Sequence, residues 1–454
     1  MALESINPTN GETLKEYSSW TAEELETVMA EVAGAVVAWQ EQAIDARARV
    51  LRQAAVILRG DVSTYASLIT HEMGKPIREA RAEVEKCALG CDFYAEHAAA
   101  WLRDEIVESD AARSLIAYQP LGTLLAVMPW NYPLWQAFRA AAPALMAGNT
   151  VVLKHASNVP QCALAIEAIL EKAGLRRGVF RTLMITADQA QRLIADDRIH
   201  AVTLTGSETA GRKVAAAAGA ALKKTVLELG GSDPFVVLAD ADLDQAASGG
   251  VAARFQNTGQ SCIAAKRFIL IDDIADDYIE RFAATAKALK VGDPMREDTQ
   301  IGPMAREDLR TQLHEQVRDA VAKGARVVTG GEPTSGTGFF YPPTILDGVQ
   351  PGMRAYSEEL FGPAAIVLRA RDENHALELA NDTRYGLGAT VCTRDAKRGE
   401  ALVRRIQSGL GFVNGMVKSD PRLPFGGVKC SGYGRELAAH GLREFVSAKT
   451  VWVR

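Results

Sequence analysis

The chain has 454 residues, 48% of them hydrophobic and 24% charged, with a net charge of -5 and a pI near 5.9. This balance suits a globular protein of two or more domains, offers nucleic acid no basic footprint, and contains no apolar run near the ~18 residues a membrane span needs. Met1 to Glu12 has neither a basic nor an apolar leader region, which predicts a cytoplasmic protein; the six cysteines (Cys87, Cys91, Cys162, Cys262, Cys392, Cys430) are too scattered for a disulfide framework or a zinc site.

Thr21-x-x-Glu24 is a capping box, and Leu25, Val28, Met29, Val32 and Val36 follow at helical spacing. Further helices are predicted over 47–58 and 62–73. Gly74-Lys75-Pro76 breaks the pattern and 77–102 resumes it, with Cys87 and Cys91 on one face. A short alternating run predicts a strand at 114–118, ended by Gln119-Pro120. From Thr123 the texture changes to short β-branched runs at 123–128, 150–154, 179–185, 201–205 and 225–229. Helices intervene at 134–146, after Pro160, from Asp188 and from Thr209. Such alternation predicts βαβ units, a parallel sheet and a Rossmann-like nucleotide domain. No G-x-G-x-x-G follows these strands. The nearest feature is Thr205-Gly206-Ser207-Glu208 with Gly211 beyond, whose amides and hydroxyl could meet a pyrophosphate; a plain tight turn fits the same residues.

A second α/β series runs from Val251 to Pro424, with strands at 268–271, 326–328, 364–368, 389–392 and 411–414. Its helices are predicted at 275–289, 306–323, 373–381 and 396–407. The tail, 448–454, is a β-like run that needs an edge, which the 114–118 strand or another subunit could supply. Within this second series, F-Q-N-T-G-Q-S-C ends on Cys262, as a nucleophile presented on a loop would. A buried thiol is the bland alternative. Thr225 to Asp233 places Glu228 after a strand-like run and before two glycines, so thiol and carboxylate are candidates for one covalent mechanism.

Seven ordered stretches together resemble the aldehyde dehydrogenase superfamily over essentially the whole chain. They are P-W-N-Y-P (129–133), T-V-V-L-K (150–154), L-T-G-S (204–207), L-E-L-G-G (227–231), N-T-G-Q-S-C (257–262), E-E-L-F-G-P (358–363) and P-F-G-G-V-K-C-S-G (424–432). V-L-K-H-A-S-N-V (152–159) and E-L-G-G-S-D-P-F (228–235) are most similar to the short bacterial succinate-semialdehyde dehydrogenases. The resemblance implies an α/β fold with a Rossmann-type nucleotide domain (1–107 and 122–228), a second α/β catalytic domain (229–424) and small oligomerisation strands (108–121 and 440–454). It also implies a homodimer or a dimer of dimers.

Carried over residue by residue, the resemblance makes Cys262 the nucleophile, Asn131 an oxyanion donor together with the Cys262 N–H, and Glu228 the base that activates water. It puts Trp130, Lys154, Gly206, Ser207, Leu229, Glu359 and Phe361 at the cofactor. Where many NAD-preferring members carry a glutamate, this chain has Ser157, which removes a charge that would repel a 2′-phosphate; NADP is therefore expected, with NAD weaker. Trp135, Arg139 and Ser419 are the expected substrate residues, Arg139 supplying the cation a carboxylate-bearing aldehyde needs. Broader aldehyde specificity, or acyl transfer to coenzyme A, are the alternatives; Glu228 argues against the latter, which needs no base for water.

Overall fold

The computed structural model describes residues 2–454. Its first large sheet has the strand order Gly432–Tyr433, Lys224–Glu228, Ala201–Thr205, Thr123–Met128, Thr150–His155, Phe180–Thr182. All are parallel except Gly432–Tyr433. The β-branched runs of the sequence form these strands because helices cover both faces, so continuous apolar runs are buried rather than alternating. Helix Pro133–Ala147 is buried at all 15 positions, and helices Ile44–Gly60, Val62–Met73 and Ile77–Trp101 pack around it. Cys87 and Cys91 share the buried face of the last of these.

The second sheet runs Arg326–Thr329, Thr344–Asp347, Ala364–Ala370, Ala265–Ile271, Asp233–Val237, Gly388–Cys392, Leu410–Val413, parallel but for Arg326–Thr329. Three of the surrounding elements escape the sequence patterns. Strand Asp233–Val237 contains Pro234, which lacks a ladder donor, and its register with the neighbouring strand shifts at that point. Strand Thr344–Asp347 is only four residues long. Helix Leu243–Phe255 reads as apolar only over its last turn, because Ser248-Gly249-Gly250 weakens its propensity; packing overrides this, since a Cβ on Gly250 would come 2.9 Å from the Phe268 ring. An N-terminal ribbon, Ala2–Ile6 with Thr13–Ser18, is also unpredicted, its second strand being largely exposed.

The tail finds its edge within the same chain. Val446–Val453 pairs antiparallel along the whole of Arg113–Pro120, from Val446 opposite Pro120 to Val453 opposite Arg113, and Glu105–Ile106 lines the other side. The strand therefore extends through Pro120 rather than stopping before it. No helix among the described residues is long and apolar enough to cross a membrane.

The two large sheets meet in opposite senses. Turns after the C-terminal ends of strands in the first sheet carry Trp130, Asn131, Gly206 and Ser207, whereas Cys262 and Phe361 precede strands of the second. Arg254, fully buried on helix Leu243–Phe255, ties the latter two loops together. Its guanidinium donates to the carbonyls of Gly259 (2.7 Å), Ala265 (3.3 Å) and Gly362. Replacing it by leucine leaves those acceptors without donors, at about 1–3 kcal/mol for each group left unsatisfied. Arg254→Leu is expected to lower the thermal unfolding midpoint well below that of the wild type; an unchanged midpoint would show that the loops do not depend on it.

Candidate active site

The cysteine loop is held in an unusual backbone conformation. Asn257 and Thr258 have φ of 55° and 54°, and Gly259 follows at 70°. A β-branched residue resists this region, so surrounding bonds must impose it. The Asn257 N–H donates to Glu79 (2.7 Å), and its side-chain amide donates to the carbonyls of Asn131 (2.9 Å) and Gln260 (3.0 Å). Thr258 Oγ1 accepts from the Gly302 N–H at 3.0 Å. Beyond the cysteine, the buried Lys266 ammonium donates to the carbonyls of Ser261 (2.9 Å), Cys262 (2.8 Å) and Ala264 (3.2 Å).

Cys262 is half-buried, and this burial pushes its thiol up to about 12, against the lowering influence of Arg139 and Lys266. It rests as a thiol, so attack requires its proton to leave. Asn131 is buried against the cysteine loop, one amide hydrogen donated to the Gln260 carbonyl at 3.1 Å. The second hydrogen of that NH2 group is available to an oxyanion. The structure thus brings the cysteine loop and Asn131 together through Gln260 and Asn257.

Glu228 ends strand Lys224–Glu228 and is almost wholly buried, with neither carboxylate oxygen hydrogen-bonded. Burial, and next the nearby Glu436 carboxylate, raise it well above the ordinary carboxylate range, with Arg139 opposing. A Cβ on Gly426 would lie 2.7 Å from Glu228 Oε1, so glycine there leaves the carboxyl its place. Glu436 is buried too, its own range raised by burial, and it forms an ion pair with Arg139. The sequence patterns single out Glu228 but not Glu436; only the antiparallel strand Gly432–Tyr433, with Gly432 opposite Glu228, carries the chain back to it.

Six of the expected residues line one cleft of about 420 Å³: Trp130, Asn131, Gly206, Ser207, Glu359 and Phe361. Trp130 and Phe361 meet edge-on, with centroids 5.7 Å apart. Ser207 caps helix Glu208–Ala220, accepting from the Ala210 N–H at 3.3 Å, so the positive end of that helix opens on the cleft. Glu359 accepts from the Gly231 N–H (3.1 Å) and pairs with Lys266 (3.2 Å), which links the cleft to the cysteine loop. Leu229 is turned inward: a Cβ on Gly211 would come 2.6 Å from its methyl groups, and its N–H donates to Ser431 (3.0 Å), leaving its carbonyl as the free polar atom. Lys154 and Ser157 stand at the end of the adjacent strand, outside the residues lining the cleft. Lys154 is half-buried with no carboxylate at ion-pair distance among the described residues, and Ser157 is exposed. An apolar slot, a helix N-terminus, a carboxylate and an unpaired cation beside an open hydroxyl fit a phosphorylated dinucleotide.

The expected substrate residues divide. Trp135 Nε1 donates to Ser419 Oγ at 3.2 Å, so these two form one wall. Arg139, the expected cation, lies inside the protein on helix Pro133–Ala147. It is buried, ion-paired with Glu436, donates to Thr205 Oγ1 at 3.2 Å and lies 4.8 Å from the centroid of the Phe425 ring. A buried guanidinium must be paired, and Glu436 is the acid at hand; the Nη1 hydrogens are left to further acceptors. Lys86 and Lys266 are residues the sequence reading missed; neither lies in one of the seven stretches, and both owe their position to packing.

The sequence pattern of the aldehyde dehydrogenase family matches residues 1–451. Succinate semialdehyde dehydrogenase Sad of Escherichia coli, whose name specifies NAD(P)+, is 50% identical over 448 residues, covering 99% of this chain and 97% of its own. Succinate-semialdehyde dehydrogenase 1 of Mycobacterium tuberculosis, named for NADP+, is 48% identical over 456 residues and 100% of both chains. The crystal structure of succinic semialdehyde dehydrogenase from Streptococcus pyogenes in complex with NADP+ superimposes with a TM-score of 0.97 at 38% identity, over 99% of each chain. On matching sequence and fold over its full length, the chain belongs to the aldehyde dehydrogenase family.

Proposed function

We propose that the protein oxidises succinate semialdehyde to succinate, with NADP preferred and NAD a weaker alternative. The observation that supports the chemistry is a half-buried thiol on a loop bonded to the Asn131 amide through Gln260, with the buried, unbonded Glu228 carboxyl near enough for its charge to act on that thiol. Full-length relatives bearing the name of that activity support the substrate. In this reading the Cys262 thiol gives its proton to water and its sulfur attacks the aldehyde carbon, opening the carbonyl π bond; the oxyanion that forms takes hydrogen bonds from the Asn131 amide and the Cys262 N–H, donors worth several kcal/mol where charge develops. Bound NADP supplies the acceptor for the hydride that leaves the carbon. The thioester on Cys262 is then hydrolysed by water whose proton passes to Glu228. Trp130 and Phe361 shield one flank of the cleft, Ser207 and the following helix hold pyrophosphate, and Glu359 holds a ribose.

The same reading makes 1–107 with 122–228 the nucleotide domain, 229–424 the catalytic domain, and 108–121 with 440–454 the strands of association in a cytoplasmic homodimer or dimer of dimers. Exposed Trp452 and Val453 on the 440–454 strand support association, and exposed Ile106 of Glu105–Ile106, which pairs into the same sheet, extends that surface to the end of the first segment. A single 48.8 kDa species in sedimentation would overturn that.

Because Glu228 is raised, it is the neutral acid at low pH and becomes a base only as pH rises past the ordinary carboxylate range, so steady-state turnover is expected to climb with pH above that range. Glu228→Gln is expected to keep a pre-steady-state burst of NADPH while steady-state turnover falls about 10²–10⁴-fold; loss of burst and turnover together would remove it from the hydrolytic step. The overall reading is tested by kcat/KM for succinate semialdehyde and butyraldehyde with each nucleotide. A preference for the acid and for NADP is expected, and Ser157→Glu should move the NADP:NAD ratio toward NAD by about 10²-fold, since a like charge beside the 2′-phosphate costs several kcal/mol.

A further inference from the structure

Helix Ile77–Trp101 begins without a side-chain cap. Its N-cap is Pro76, which has no N–H to give, so Glu79, three residues on, cannot close the reciprocal contact that an acid at this position makes in a capping box. The Glu79 carboxylate reaches instead across to the cysteine loop and accepts from the Asn257 N–H at 2.7 Å. Asn257 is buried and its φ of 55° lies outside the helical range, so its N–H depends on an acceptor from elsewhere in the chain. From Asn257 the contact passes on to the site. Its side-chain amide donates to the carbonyls of Asn131 (2.9 Å) and Gln260 (3.0 Å), and the Gln260 carbonyl also accepts the first amide hydrogen of Asn131.

Resting on the oxyanion role given to Asn131 above, we propose that Glu79 is a positioning residue for the reaction: acting through Asn257, it fixes the direction of the Asn131 amide hydrogen that meets the oxyanion. Two observations make this more than a packing contact. First, Asn257 Oδ1 is buried without a donor, so the side chain is steadied only by the two carbonyls it donates to and by its own backbone, which Glu79 holds. Second, both amides converge on one acceptor, the Gln260 carbonyl. An NH2 group is planar, so any movement of that carbonyl or of the Asn131 backbone turns the second Asn131 hydrogen with it. Burial raises the Glu79 carboxyl to about 7, against the Asn257 N–H, Lys75 and Arg78, so this acid sits where its charge is disfavoured. A bond from a carboxylate to a backbone N–H is of the stronger, charge-assisted kind, as a strained turn requires.

The test is a double-mutant cycle on kcat/KM at saturating NADP, with Glu79→Ala, Asn131→Ala and the double variant, read with both succinate semialdehyde and butyraldehyde so that it does not depend on the substrate being the acid. Asn131→Ala is expected to lose about 10²–10³-fold and Glu79→Ala about 10–100-fold, since a small misplacement of the donor suffices. In the Asn131→Ala background, Glu79→Ala is expected to change the rate less than about threefold, because the group it positions is gone. Glu79→Gln, whose amide oxygen can still accept from the Asn257 N–H, should recover most of the wild-type rate. Alkylation of Cys262 by iodoacetamide forms no oxyanion, so its rate in Glu79→Ala is expected to stay within about twofold of the wild type. Should Glu79→Ala fail to fold, Glu79→Met carries the same comparison. An unchanged rate in Glu79→Ala, equal losses in the two backgrounds, no advantage of Glu79→Gln over Glu79→Ala, or alkylation that falls as far as turnover would each overturn this inference alone. A wild type inactive on both aldehydes, or an Asn131→Ala variant with wild-type turnover, would overturn the reading above and this inference with it.

Discussion

One buried ammonium ties the chemistry together. Lys266 stands at the start of the central strand Ala265–Ile271, donates to three carbonyls of the cysteine loop and pairs with Glu359 of the nucleotide cleft. A lysine so placed is costly to desolvate, and burial indeed lowers its proton affinity. Its retention in the charged form depends on that full set of acceptors. The geometry of the thiol and that of Glu359 are consequently coupled: neither loop can shift without leaving a buried charge short of partners. Arg254 performs the same office from the other side, joining Gly259 and Gly362.

Around this anchor the site is a problem in distributing buried charge. Glu228 and Glu436 share one cationic neighbour, Arg139, which pairs directly with Glu436. Glu228 is left unpaired and neutral at low pH, the condition of a group that takes a proton in one step only. Unsatisfied buried charge is expensive in a resting protein and persists where a ligand or a reaction completes it. The fully paired Lys75 and Glu83, by contrast, serve structure, Glu83 capping the N-terminus of the helix that bears Trp135.

Both sheets were largely legible beforehand, because strands buried on two faces write themselves as short β-branched runs between amphipathic helices. Strand Thr123–Met128 and helix Glu373–Asn381 emerge with the expected limits. Asp233–Val237, in the middle of the second sheet, did not, since its proline contradicts the local pattern and only neighbours on both sides make the strand worthwhile. Helix N-termini show the same limit. Helix Pro160–Lys172 is capped by Glu72, which accepts from the N–H groups of Gln161 (3.0 Å) and Cys162 (2.8 Å) from a distant helix. No local capping signal could announce it.

The sequence alone determined the α/β character and the family resemblance, and pointed to the thiol, amide and carboxyl proposed for the chemistry, because these depend on residue types inside short contiguous motifs. Tertiary structure decided which charges are free. Arg139 and Lys86 are both cations on helices that pack beside the site, and local sequence does not say which of them is ion-paired. Folding brings Glu436 to Arg139 from nearly three hundred residues away and brings only Ser419 and Trp135 to Lys86. Coulombic pairing acts through space and not along the chain, so the pairing of Arg139 with Glu436 could not be read from the neighbours of either residue.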